Sequence, residues 1–130
     1  MRGFVIALVV SVLVALGTLA AFSPWLRGTG PVPVRAATIQ IEDLRFTPNR
    51  LDVTAGVPVT VRLVNTGTER HDIYFPSIHM PGLEGVQSIL EPGESRTVTL
   101  RFDAPGYHVF SCSLPGHAAV GMTGAVFVHA

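Results

Sequence analysis

GYHVFSCSLPGHAAVGMTGAVFVHA, residues 106–130, holds the single cysteine of the chain, Cys112, with His117 five residues on and Met122 five further. The segment Tyr107 to Cys112 reads as a strand that delivers the cysteine at its end, Pro115-Gly116 forces a turn, and Gly124 to His129 leaves as another strand. A strand end followed by a short loop can aim a thiolate, an imidazole and a thioether at one point. Those are the donor types that soft, redox-active copper selects, and a mononuclear site of that kind takes a second imidazole. The loop supplies one histidine only. His71 is the best candidate for the other, opening the apolar run His71-Asp-Ile-Tyr-Phe75 just after the turn-like Asn65-Thr-Gly-Thr68.

Each residue has an ordinary reading as well. A lone cysteine in a β-rich chain is usually a small buried hydrophobe, and a loop methionine usually fills a gap. A lone histidine is more often a surface or satisfied core residue than a ligand. The joint spacing on a strand–loop–strand with Pro-Gly inside is what favours a metal. A free thiol in an exported domain is also a liability unless something occupies it.

Upstream of the loop the hydrophobic period is two. Ile39 and Ile41 alternate with Gln40 and Glu42, Leu51 and Val53 follow, and Val59, Val61 and Leu63 alternate with Thr60 and Arg62. Val98, Leu100 and Phe102 repeat the pattern. Gly and Pro turns separate these segments, at Ala55-Gly-Val-Pro58 and Glu91-Pro-Gly-Glu94, and no helical pattern of useful length follows residue 37. The expectation is an all-β, antiparallel sandwich. Phe75 to Leu90 breaks the alternation and reads as a long connection, with a short strand near Val86 to Ile89.

The N-terminus has a different character. Phe4 to Phe22 is an uncharged apolar run preceded by Arg2, long enough for one transmembrane helix. A cleaved signal peptide is the competing reading, with Thr18-Leu-Ala20 and Val34-Arg-Ala36 as passable cleavage sites. Pro24-Trp25 with Arg27 suits an interfacial anchor after a helix. The organisation expected is therefore a membrane anchor or signal segment over 1–22, a Pro/Gly linker over 23–37 and a copper-binding domain over 38–130. Either N-terminal reading puts that domain on the extracytoplasmic side, held at the cell membrane or free in the periplasm. From Thr38 on, six arginines face nine acids, so the domain is net acidic and unsuited to nucleic acid.

On Cys112-Ser-Leu-Pro-Gly-His117, Gly121-Met122 and the upstream Asn65-x-Gly67…His71-Asp72, the chain resembles the cupredoxins, the small blue-copper proteins. The loop pattern is closest to rusticyanin-, auracyanin- and azurin-like members. The resemblance covers roughly Thr38 to Ala130. It implies a Greek-key β-sandwich and one copper, Cu(I) or Cu(II), per domain. It also implies His71, Cys112 and His117 in a near-trigonal plane with Met122 as weak axial ligand. Asp72 falls where many members have an Asn that bridges the two ligand segments, and a bond toward the Ser113 region is expected of it. Phe110 is expected to pack near the site. His108 stands where the family usually has an aromatic, with Tyr107 one residue earlier; it is read as structural, and His129 as solvated.

The function this implies is one-electron transfer with a redox protein partner, a cytochrome or membrane oxidoreductase. The small apolar residues around His117 (Pro115, Gly116, Ala118, Ala119, Val120), with Leu114, form a candidate docking collar. Catalysis is not expected. Ser111 and Ser113 flank Cys112, so the adjacent-histidine relay of multicopper oxidases and nitrite reductases is missing, and a dinuclear CuA loop needs two cysteines. Periplasmic copper delivery or storage is the alternative, for which His79-Met80 would be the soft contact.

Overall fold

The computed structural model describes Gly30 and residues 32–130. The expected N-terminal helix and much of the linker lie outside the described residues. Among the described residues there are seven strands and two short 3-10 turns, and no helix long and apolar enough to cross a membrane.

The strands are β1 (Ala36–Glu42), β2 (Arg45–Thr47), β3 (Arg50–Thr54), β4 (Val59–Asn65), β5 (Ser95–Leu100), β6 (Gly106–Ser111) and β7 (Thr123–His129). One sheet has the order β2-β1-β4-β5 and the other β3-β7-β6. Alternation decides which face of each strand is covered. Ile39 and Ile41 of β1, Val59, Val61 and Leu63 of β4, and Val98 and Leu100 of β5 are buried against Leu51 and Val53 of β3 and Val126 and Val128 of β7. Their polar neighbours Gln40, Thr60, Arg62, Thr97 and Thr99 face water. The result is an all-β sandwich, as the pattern predicts.

The pairing is mixed rather than antiparallel. β1 runs parallel to β4, with Ile39 opposite Leu63, and β3 runs parallel to β7, with Leu51 opposite Val126. A period of two fixes the buried face but carries no information about the direction of the neighbouring strand. The chain makes one tight hairpin, β1 to β2 through Asp43-Leu44, and then crosses to the other sheet as β3. The parallel partners are consequently remote in sequence.

Two further expectations change. Val86 to Ile89 is not a strand: Gly85–Ser88 forms a 3-10 turn. The Ser88 hydroxyl donates to the Gly85 carbonyl at 2.6 Å, a local bond that competes with any ladder. His71 to Phe75 is not a continuous strand either. His71 bridges Leu90, just before β5, and Tyr74 bridges Ser111 at the end of β6. The segment thus steps from the margin of one sheet to that of the other. Ile73 and Phe75 point inward along it and Tyr74 outward.

Aromatic packing fixes that end of the sandwich. The fully buried Phe110 ring meets Phe46 edge-on at a centroid distance of 5.2 Å and Phe75 at 5.4 Å. Burying a ring of this size contributes about 1.5–3 kcal/mol. Three separate segments are tied together directly beneath the residue pair Ser111-Cys112. As expected, Phe110 lies next to the loop that begins at Cys112.

Candidate metal centre

β6 delivers its last residue, Ser111, to the sheet margin, and Cys112 follows with no exposed surface. Beyond it the chain folds back on itself. The His117 N–H donates to the Leu114 carbonyl at 3.2 Å, and a 3-10 turn, Ala118–Val120, ends at Gly121. Gly121 has φ +101°, a left-handed conformation that a side chain would oppose. That reversal lets the Met122 N–H reach the His117 carbonyl at 3.1 Å and the Cys112 N–H reach the Met122 carbonyl at 3.2 Å. Main-chain bonds alone therefore bring Cys112, His117 and Met122 together, and Met122 is wholly buried.

The second histidine arrives from the other side. Asn65, at the end of β4 and fully buried, organises the loop that carries it. Its amide donates to the carbonyls of Glu69 and Leu90 at 2.8 and 2.9 Å, and its Oδ1 accepts from the Gly67 N–H at 2.9 Å. Leaving such a buried group unpaired would cost about 1–3 kcal/mol per bond. His71 is then locked by paired backbone bonds with Leu90 and is buried.

His71, Cys112 and His117 form the cluster. The two Nδ1 atoms are 3.2 Å apart, and Cys112 Sγ lies 4.0 Å from Nδ1 of His71 and 3.6 Å from Nδ1 of His117. A triangle with those sides has a circumradius of about 2.1 Å, within the span of about 2.0 to 2.3 Å of metal–imidazole and metal–thiolate bonds. The far ring nitrogens both face carboxylates. His71 Nε2 is 3.2 Å from Asp43 Oδ1, and His117 Nε2 is 3.6 Å from Glu69 Oε2. An ionised carboxylate only accepts, so these contacts favour the proton on Nε2 and leave both Nδ1 lone pairs pointing inward. Burial pushes the Cys112 thiol up, against the thiolate, and a bound cation would reverse that. Converging donors with no internal positive charge fit a metal ion. A sulfur with two imidazoles, and a thioether in the adjoining loop, fit copper.

Asp72 behaves as expected: it is buried and accepts from the Ser113 N–H at 2.6 Å and from the Ser113 hydroxyl. Asp43 is the residue that sequence reasoning missed. It follows Glu42 in a tight turn, 28 residues before His71, with no spacing pattern to set it apart from the acids on the surface. Its carboxylate is held at a pKa of about 2, chiefly by the Thr68 hydroxyl and then by His71.

The spare histidines lie elsewhere. His79 is exposed and pairs with Glu84 at 2.9 Å, while Met80 is buried in the core. The two side chains therefore point to different environments. His108 packs on Phe102 at a centroid distance of 5.1 Å on the inner side of β6, and Tyr107 stacks edge-on against Phe127. His129 is not simply solvated: its Nε2 lies 2.8 Å from Asp52 Oδ1.

A family model described as a cupredoxin-like domain matches residues 7–123. The chain belongs to the cupredoxin-like family. Among proteins of known sequence it resembles Auracyanin-B of Chloroflexus aurantiacus, with 34% identity over 67 residues. That match covers 50% of this chain and 28% of the relative's length. Among solved structures, the sodium dithionite-reduced auracyanin of the photosynthetic bacterium Roseiflexus castenholzii superposes with a TM-score of 0.66 at 24% identity. It covers 76% of this chain and all of the other. A multicopper oxidase, mgLAC, gives a TM-score of 0.62 at 22% identity, covering 72% of this chain and 38% of its own. These two structural matches establish a shared fold. The cupredoxin-like family implies copper, and the donor triangle is where this chain can hold it.

Proposed function

We propose that this cupredoxin-like protein is a one-electron carrier with a single type 1 copper bound by His71, Cys112, His117 and Met122. The observation that carries the reading is the triangle of two Nδ1 atoms and one Sγ, whose size suits a metal and whose donors suit copper. Copper supplies the Cu(II)/Cu(I) couple. The protein supplies a water-poor cage: Cys112, Met122 and His71 have no measurable exposure, and the His117 side chain keeps 16%. Ligands fixed by main-chain bonds cannot rearrange far between oxidation states, which keeps the cost of each hop low.

His117 is the edge closest to solvent. Around it Pro115, Gly116, Ala118, Ala119 and Val120 are exposed, with Glu69 and Arg70 at the rim. A small, exposed, mostly apolar collar suits the brief contacts of electron-transfer partners, which bury less than about 1,200 Å². A cytochrome or membrane oxidoreductase is the partner class we favour. The uncharged run before residue 23 supports an exported domain, tethered to the membrane or released from it, on the extracytoplasmic side.

Copper delivery or storage would call for an open soft cluster that releases Cu(I). The divergence of His79 and Met80 speaks for the carrier instead. An enzymatic role finds no support in the sequence next to the thiol, where Ser111 and Ser113 offer no imidazole relay. The multicopper oxidase likeness extends over a minor part of that longer chain and concerns the fold.

The test is a copper titration of the purified protein followed by visible spectroscopy. An intense thiolate-to-copper band that bleaches reversibly on reduction is expected, and Cys112→Ser should abolish it. A full band surviving that substitution, or a protein that holds only colourless Cu(I), would sink the proposal.

A further inference from the structure

We propose that Asp43, reaching across from the β1–β2 turn, is the positioning residue that presets His71 for metal by holding its Nε2–H. This inference rests on the copper reading above and adds a residue outside the ligand set. The Asp43 carboxylate is wrapped by the loop that leads into His71. Its Oδ1 accepts from the Thr68 N–H at 2.9 Å, the Glu69 N–H at 3.2 Å and His71 Nε2 at 3.2 Å. Its Oδ2 accepts from the Thr68 N–H at 3.1 Å and the Thr68 hydroxyl at 2.7 Å. The fit requires glycine at position 67, because a Cβ there would sit 2.3 Å from Asp43 Oδ1. On the turn itself Leu44 is held at φ +64°, a conformation that costs a side-chain-bearing residue about 1–2 kcal/mol.

Four of these five contacts would serve equally well to pin a loop. The fifth does something a loop pin would not. A neutral imidazole carries one N–H, and a carboxylate can only accept it, so Asp43 fixes the proton on Nε2 and frees the Nδ1 lone pair. That lone pair faces Cys112 Sγ and His117 Nδ1. Carboxylates in this relation to a ligating histidine orient the ring and raise its donor strength, and removing one typically lowers metal affinity by 10- to 100-fold. The added negative charge favours the more highly charged Cu(II) over Cu(I).

Three variants test this: Asp43→Asn, which keeps an acceptor for the loop N–H groups but removes the charge, Asp43→Ala, and Gly67→Ala, which evicts the carboxylate from the other side. The first measurement is the ring nitrogen NMR spectrum of the metal-free protein. A single Nε2–H form of His71 is expected in the wild type and a mixture of the two neutral forms in Asp43→Ala and Gly67→Ala. The second is copper affinity and midpoint potential. Asp43→Asn should weaken Cu(II) binding about tenfold relative to Cu(I), which for one electron raises the midpoint by about 59 mV. Gly67→Ala should add little to Asp43→Ala, since both remove the same contact. A wild-type ring that already exchanges between the two forms, or an Asp43→Ala protein with unchanged ring form and unchanged potential, overturns the proposal. Absence of a thiolate band in the wild type would sink the copper reading instead, and the metal-free spectrum would still decide the role of Asp43.

Discussion

Asp72 ties the segments that carry His71 and Cys112 together: its buried carboxylate accepts from the Ser113 N–H at 2.6 Å and from the Ser113 hydroxyl. The residue after His71 is thereby fastened to the residue after Cys112, across 41 positions of sequence. Asp72→Ala takes the charged acceptor from that part-buried N–H and should cost about 1.5–3 kcal/mol of folding stability, the range for hydrogen bonds to charged groups. Asp72→Asn keeps one acceptor oxygen and should cost less. It also removes a negative charge from beside Cys112, so it should raise the copper midpoint potential. Urea denaturation of the metal-free proteins and redox titration of the loaded ones check the two effects separately. An Asp72→Ala protein as stable as wild type would show that the bridge contributes nothing.

Met122 is the proposed ligand whose contribution divides most cleanly between packing and redox tuning. It has no solvent exposure, and its main chain bonds both Cys112 and His117. Met122→Leu conserves volume, so stability should change by less than about 1.5 kcal/mol. The main-chain bonds persist and copper should still bind, but loss of the thioether donor to copper should raise the potential. Loss of copper altogether would contradict a weak axial role. An unchanged potential would place the thioether outside the copper's reach.

Part of this arrangement is legible in one chain and part is not. Ile39 and Ile41, Val59 to Leu63 and Val98 to Leu100 declare their buried faces because strand periodicity is local, and Cys112, His117 and Met122 sit in one loop whose Pro-Gly turn is local too. His71 could be nominated only because a second imidazole was needed. Direction of pairing was not legible, since Leu51 beside Val126 and Ile39 beside Leu63 are parallel neighbours chosen by crossovers between sheets. Asp43 was invisible for the same reason. What makes it matter is a distance of 3.2 Å to a ring 28 residues away, and no spacing rule encodes that. Val86 to Ile89 misled because its hydrophobic content suits a strand, while the Ser88 hydroxyl closes the segment locally instead.

Gly124 should tolerate no side chain, although its neighbours in β7 are ordinary strand residues. A Cβ there would lie 2.3 Å from Phe110 Cζ and 2.6 Å from the Asn49 carbonyl oxygen. The ring is pinned by Phe46 and Phe75, and the carbonyl already accepts from the Ala125 N–H at 2.8 Å, so neither can yield cheaply. Gly124→Ala should cost about 1–3 kcal/mol. Because Phe110 lies two residues before Cys112, the coloured band should also broaden or shift. Thermal melts of metal-free and loaded protein, with the visible spectrum, test it; a neutral substitution would mean the strand end relaxes freely.

The opposite face of the second sheet sets an acid limit on stability. Asp52 of β3 accepts from Arg50 at 2.9 and 3.0 Å and lies 2.8 Å from His129 Nε2 of β7. The Arg50 hydrogen bonds, with a smaller contribution from His129, hold its carboxyl at a pKa of about 2, below the ordinary 3.8. A depressed carboxyl stabilises the fold above its unfolded pKa, and that contribution disappears as pH falls through the folded one. The window is therefore roughly pH 4 to 2, where the folded protein resists a proton that the unfolded chain takes up. Asp52→Asn removes the titration, so the stability gap between it and wild type should be full above pH 4.5 and shrink toward pH 2. Urea midpoints of the metal-free proteins across that range decide it. A gap that stays constant on acidification would mean that the Arg50–Asp52–His129 contacts act by packing rather than by charge.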